Sequence, residues 1–236
     1  MGIVQYFPSQ QIVGDSIGWY GEYLRGQTDL LASLMAPASF VMEAGAGIGA
    51  HVLSLAPTVG AGGHFFLYEP RSLFQPVLRQ NLMANGIRNV TVMRGSLCPH
   101  RTAGPRVCEA VTDPKEPIEA TRIETIDELR LEKLDWLKIG EDSEHALSVL
   151  AGASETLWRL RPKVFVSATD QDQVITLVAR LKDHAYLCWK VTTPYYNPLN
   201  FNGRDVDIFS GRTALAVLAI PEEIVATTDL DGCETM

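Results

Sequence analysis

Basic runs, long apolar stretches, clustered cysteines and internal repeats are all missing from this sequence, and each absence excludes something. Four cysteines (Cys98, Cys108, Cys188, Cys233) in 236 residues show no C-x-x-C spacing. A disulfide-stapled secreted module would be shorter and denser in cysteine, and a zinc site needs clustered ligands. Reduced, mostly buried thiols and no metal are the expectation. Lys and Arg total 20 against 28 Asp and Glu, a formal net charge of −8 without a basic run. Such a surface repels phosphate backbones, so no nucleic-acid partner is expected. No stretch approaches about 18 consecutive apolar residues, the length a membrane-crossing helix needs. Residues 1–14 lack a basic start followed by an apolar segment, so no signal peptide is expected. These absences point to a soluble cytoplasmic protein without a membrane span.

What is present is an ordinary globular composition, 46% hydrophobic, in a length that suits one large domain. Helical spacing at Tyr23, Leu24, Leu30, Leu31, Leu34 and Met35 ends before Pro37, so residues 1–36 read as an N-terminal helical cap or lid segment. Short apolar runs at 40–44, 64–68, 90–93, 136–139 and 163–168 read as strands. Helices are predicted at 50–56, 72–85, 146–160 and 173–184. Segment 98–121, with four prolines, is predicted to be an irregular insertion. Strands at 186–192 and 214–220 close the pattern, and 222–236 reads as a flexible acidic tail. Alternating strand and helix predicts an α/β, doubly wound Rossmann-like sheet over 37–221, mostly parallel, with an antiparallel edge pair.

Two signals carry chemistry. The first is Glu43-Ala44-Gly45-Ala46-Gly47-Ile48-Gly49 between a strand and a helix. Glycines let the backbone turn sharply and approach a ligand closely, and helix-start amides can bond an anion. The second is Glu69, which closes the next strand 24 residues after Gly45. A carboxylate there can accept both ribose hydroxyls of a nucleoside lying over the turn. Together they predict an adenosine-containing cofactor. Gly45, Gly47 and Ala50 also satisfy G-x-G-x-x-A, so an NAD-dependent oxidoreductase remains an alternative. Glu43 favours a cationic cofactor over a pyrophosphate, and the antiparallel closing pair suits the methyltransferase version of the fold.

Several segments, in order, resemble the FkbM-type S-adenosylmethionine-dependent methyltransferases. They are Gly21-Glu22-Tyr23 with Leu30-Leu31, 41–55 (VMEAGAGIGAHVLSL), 59–63 (VGAGG), 67–71 (LYEPR) and 81–90 (NLMANGIRNV). Further on come 124–129 (ETIDEL), 136–139 (WLKI), 149–153 (VLAGA) and Arg161-Pro162. The resemblance implies the class I methyltransferase fold and transfer of the cofactor's methyl to a hydroxyl of a glycan or small natural product. It implies that Glu43, Gly45 and Gly47 surround the methionine part, with Ala46 and Gly49 also binding the cofactor. Glu69, with Pro70, would bind the ribose, and Ser96 and Leu97 would flank the adenine.

One departure stands out. Many members read I-K-I-D-x-E-G where this chain reads Ile139-Gly140-Glu141-Asp142-Ser143-Glu144-His145. Either Glu141 or Asp142 replaces the missing acid, or these acids open a helix that Ser143 caps. Glu141, Asp142 and His145 are the candidate catalytic residues, as proton acceptors. His51 is expected to pack in the first helix and His100 falls in the insertion. In the loop 195–203, which resembles a family segment, Tyr196, Asn197 and Asn200 suit a sugar-like acceptor or, equally, simply close a hairpin. Tyr6, Phe7, Trp19 and Tyr20 can form a lid or a buried apolar cap. A catalytically degenerate binding module is the second alternative, raised by Gly140.

Overall fold

The computed structural model describes residues 2–8, 11–93, 96–97, 123–140, 146–224 and 233–236. Two helices, α1 (Gln11–Tyr20) and α2 (Arg25–Leu34), lead into β1 (Phe40–Ala44). Strand and helix then alternate through α3 (Ala50–Val59), β2 (His64–Tyr68), α4 (Phe74–Ala84) and β3 (Val90–Met93). A separate two-stranded piece pairs β4 (Ser96–Leu97) with β5 (Ile123–Glu124). After it come β6 (Trp136–Ile139), α5 (Ala146–Ala151), α6 (Ser154–Leu160), β7 (Lys163–Ala168) and α7 (Gln171–Lys182). The described chain closes with β8 (Tyr186–Pro194), β9 (Thr213–Pro221) and β10 (Glu234–Thr235). Among the described residues no helix is long and apolar enough to cross a membrane.

The main sheet runs β10-β8-β9-β7-β6-β1-β2-β3. Pairings among β3, β2, β1, β6 and β7 are all parallel, whereas β9 runs antiparallel to both β7 and β8. The expected α/β doubly wound architecture is therefore present, with the reversed strand inserted between β7 and β8. From β1 the chain winds outward through β2 and β3, then crosses back to add β6 and β7 on the other side. The order reverses between β1 and β6, and ligands of such sheets bind at the carboxyl ends of the strands at that reversal.

Alternating side chains give each strand two buried faces, as a sheet covered on both sides requires. Met42, Leu137, Ile139, Val164 and Val166 pack on one face with α5 and α7. Val41, Phe65, Leu67, Trp136 and Phe165 pack on the other with α2, α3 and α4. Helix 146–160 is split at Gly152 and Ala153. The Asp127 carboxylate accepts the N–H groups of Glu155 (3.0 Å) and Thr156 (2.7 Å), giving α6 a separate N-terminus. The chain's end also departs from the expected flexible tail. Glu234 and Thr235 pair with Lys190 and Trp189, Met236 donates its N–H to the Cys188 carbonyl at 2.9 Å, and Lys190 forms an ion pair with Glu234. The outer edge of β8 offers unpaired backbone groups, and a short strand covers them.

Candidate functional site

The carboxyl ends of β1 and β6 touch at the sheet reversal. Gly140 donates its N–H to the Ala44 carbonyl at 2.7 Å. A Cβ on Gly140 would lie 2.4 Å from the Gly45 carbonyl oxygen and 3.2 Å from that of Ala44. Backbone contact therefore holds this position to glycine, and an acid cannot stand here without moving the turn.

Gly45, Gly47 and Gly49 have φ of 77°, 57° and 89°, the left-handed region that costs a side chain most. A Cβ at Gly47 would come no closer than 4.0 Å to Arg71 Nη2, so open space lies before it. Gly45, Ala46 and Gly47 wall a cavity of about 220 Å³ whose other sides include Tyr23, His51, Arg71 and Gly140. Gly49 has another task than the cofactor contact expected of it. A Cβ there would press on Leu78 Cδ1 at 2.8 Å, so it permits α3 to pack on α4. Four of the turn's amides are also committed. Gly45 and Ala46 donate to the Tyr68 carbonyl (2.8 and 3.0 Å), Gly47 to Glu69 Oε2 (2.6 Å) and Gly49 to the Ala46 carbonyl (2.9 Å). Tyr68, Glu69 and the turn itself use these four, which precede the amides that open α3.

Glu69 stands where the sequence predicts, beside the turn, and is fully buried. Its Oε1 accepts from Arg71 N (3.0 Å) and Nε (2.7 Å), and its Oε2 from Gly47 N and Arg71 Nη2 (2.9 Å). The Arg71 guanidinium, stacked 4.1 Å over the Phe74 ring, covers the acid and forms part of the cavity wall. Sequence reasoning missed this clamp, although an arginine two residues beyond a strand-end acid was its signal. Pro70, between them, is half-buried and does not line the cavity.

Glu43 lies behind the turn. It is 2% exposed and accepts from Lys138 Nζ at 2.8 Å, with Lys138 itself 1% exposed. Strand register sets Glu43 of β1 opposite Lys138 of β6. The free acid expected to attract a cationic cofactor is thus neutralised by a buried lysine. A lone Lys inside the apolar strand Trp136–Ile139 was the unread signal, since a buried charge requires a partner. His51, expected to pack in the first helix, does so at the cavity wall. Its Nδ1 is 3.9 Å from Glu43 Oε1, while its Nε2 is buried with no hydrogen-bond partner among the described residues. Burial, and then the Lys138 charge, hold His51 well below its usual range, so it is neutral at neutral pH. The hydroxyl of Tyr23, on the same wall, is likewise buried and unpartnered, with its ring centroid 5.4 Å from that of His51.

The remaining predicted residues scatter. Ser96 pairs with Ile123, and Leu97 is buried in a cluster with Tyr68 and Ile126, away from the cavity wall. Glu141, Asp142 and His145, the catalytic candidates, lie outside the described residues, as does His100. Asn197 and Asn200, expected to offer amides to an acceptor, use them within the protein. Asn197 Nδ2 donates to Glu22 Oε1 (2.8 Å) and its Oδ1 accepts from Leu199 N. Asn200 Nδ2 donates to the carbonyls of Asn197 and Arg204, and its Oδ1 accepts from Arg204 N. Tyr196 packs against Tyr20 and donates to the Arg204 carbonyl. These three close the loop and tie it to the N-terminal segment. Tyr20 is fully buried and bonded to Val206 and Ile208, and Phe7 packs on Phe74, as an apolar cap would. Among the described residues no group of three or more His, Cys, Asp or Glu side chains is placed to hold a metal ion.

An adenosine-bearing ligand fits this wall on one observation, the open space before Gly47. It also carries a condition, release of Glu69 by Arg71.

No protein-family model and no curated protein matches the sequence. Solved structures do match the fold. A precorrin-6y C5,15-methyltransferase of Geobacter metallireducens superposes with a TM-score of 0.53 at 17% identity, over 84% of this chain and 87% of that one. An S-adenosylmethionine-dependent O-methyltransferase of Thermotoga maritima gives 0.51 at 18%, over 89% and 71%. A precorrin-8w decarboxylase of Methanobacterium thermoautotrophicum gives 0.55 at 16%, over 83% and 89%. The chain has the Rossmann-like fold of class I methyltransferases, and at these identities the likeness is one of fold.

Proposed function

We propose that this protein is an S-adenosylmethionine-dependent methyltransferase, of the FkbM type in its motif order. Its acceptor is a hydroxyl of a glycan or small natural product. The observation that carries the reading is a glycine turn with open space before Gly47, beside the carboxylate of Glu69 at the sheet reversal. Gly45, Ala46 and Gly47 would lie against the amino-acid part of the cofactor, and Glu69 would accept the ribose hydroxyls once Arg71 lets go. When bound, the cofactor supplies a methyl group on a sulfonium, an electrophile that needs no metal. The chain's part is to align an acceptor oxygen with that methyl and to take its proton. Glu141, Asp142 and His145, just beyond β6, are proposed for the proton, with residues 1–36 as cap and 37–221 as the methyltransferase domain.

A binding module without catalysis is the second reading, favoured by the close contact that keeps Gly140 free of any acid. The NAD alternative, carried by the G-x-G-x-x-A spacing of Gly45, Gly47 and Ala50, is the third. Calorimetry with S-adenosylmethionine, S-adenosylhomocysteine and NAD tests all three. Binding of the first two is expected. No binding of either by folded protein at millimolar ligand refutes the methyltransferase reading, and binding without methyl transfer to a panel of hydroxylated acceptors favours the module.

A further inference from the structure

We infer that Arg71 binds an anionic group of the methyl acceptor, a carboxylate or a phosphate, once the cofactor's ribose has taken Glu69 from it; the inference rests on the proposed cofactor class. Among the described residues lining the cavity, Arg71 is the one with a charged side chain, since His51 is neutral. In a chain of net charge −8 a cation on that wall is a local exception, and it selects for the opposite charge. The guanidinium holds Glu69 through one edge, Nε on Oε1 at 2.7 Å and Nη2 on Oε2 at 2.9 Å, the two-bonded fork that fits a carboxylate. Its place on the wall does not depend on those bonds alone. It also stacks 4.1 Å over the Phe74 ring, which Phe7 backs at 5.3 Å. Nη2 is 4.0 Å from where a Cβ of Gly47 would stand, so the fork borders the open space.

Ribose hydroxyls would donate to the same Glu69 oxygens that the fork occupies, so the two compete for one carboxylate. Glu69 keeps the N–H groups of Gly47 and Arg71 in either state, and the ribose replaces what the guanidinium gave. The fork, by contrast, loses two charge-assisted bonds on a side chain only 28% exposed, and among the described residues lining the cavity none is acidic. Guanidinium N–H groups taken from one carboxylate are satisfied best by another, or by a phosphate. The cofactor and an acidic acceptor then favour the same state, with Arg71 off Glu69, and each binds more tightly in the presence of the other. The acceptor class narrows from any hydroxyl compound to an acidic one, such as a uronic acid or a phosphorylated sugar.

The test titrates S-adenosylhomocysteine into the protein by calorimetry, alone and with excess D-glucuronate, inorganic phosphate or neutral D-glucose, at constant ionic strength. Glucuronate or phosphate is expected to tighten it about five-fold or more, and glucose by less than about two-fold. 5′-Methylthioadenosine, which has the adenosine and sulfur but no amino-acid part, should gain as much. Arg71→Met should abolish the gain, and Arg71→Lys, a charge without the fork, should keep only part of it. No gain with either anion, or a gain that survives in Arg71→Met, overturns the inference while leaving the cofactor class standing. A gain confined to one nucleoside overturns it too. For methylthioadenosine alone, the amino-acid carboxylate of the other ligand is what takes Arg71; for S-adenosylhomocysteine alone, the ribose is not what frees it. Wild-type protein that binds neither nucleoside overturns the cofactor class as well. Folding of the variants is checked by circular dichroism. If Arg71→Met does not fold, Arg71→Gln takes its place, and the wild-type comparison of the two nucleosides decides in any case.

Discussion

Removing the lysine from the buried Glu43–Lys138 pair is the most informative perturbation of this fold. At 2.8 Å and an effective dielectric near 20, the two charges attract by about 6 kcal/mol. Most of that offsets the cost of taking two ions out of water, which is several kcal/mol per ion. The intact pair thus contributes little net stability, but its halves are not independent. Lys138→Met would leave Glu43, 2% exposed, charged and alone. Breaking a buried pair in this way costs about 3–5 kcal/mol. For a chain of this size each kcal/mol lowers the melting temperature by roughly 2–4 °C, so a fall of about 6–20 °C is expected. The double variant Glu43→Gln/Lys138→Met should recover most of it, because neither charge remains. His51 reports independently: losing the Lys138 charge removes one of the two causes that depress it, so its titration by NMR should move upward. Thermal and urea melts of the single and double variants measure the coupling. A Lys138→Met loss below about 1 kcal/mol, or a double variant as unstable as the single, would refute the argument.

Other expectations follow from the clamp, the contact at the reversal and the surface. Glu69→Ala should weaken S-adenosylhomocysteine about ten- to hundred-fold by calorimetry, while Arg71→Met, which uncovers the acid and leaves it two backbone donors, should tighten binding. Gly140→Ala places a methyl 2.4 Å from the Gly45 carbonyl oxygen and should lower the melting temperature and cofactor affinity together; an unchanged melt would mean the turn yields freely. Arg161 holds Glu223 down to about 2 from its usual 4.5. A depressed acid stabilises above its unfolded value and loses that contribution as pH falls from about 4.5 through about 2. Because Glu223 is more than half exposed, Glu223→Gln should cost under about 1 kcal/mol at pH 7 and flatten the acid limb of the stability curve.

Local patterns in the sequence were enough for the strand–helix alternation, because an apolar run beside Gly or Pro and a 3.6-residue stripe are readable without knowing their neighbours. The bounds of β1, β2, β3, β6 and β7 are legible for that reason, as is the glycine turn, whose left-handed backbone restricts the residue type at its own position. Glu69 was legible too, by its distance from Gly45. What the tertiary structure decided is which charges meet. Glu43 looks like a free acid until β6 sets Lys138 opposite it across 95 residues, and His51 looks like core until that pair is seen behind it. Asp127 caps a helix 28 residues away, Asn197 bonds Glu22 across 175, and β10 closes an edge that only the folded sheet possesses. A polar side chain's role depends on its partner, and partners brought together by chain crossovers leave no spacing in the sequence to read.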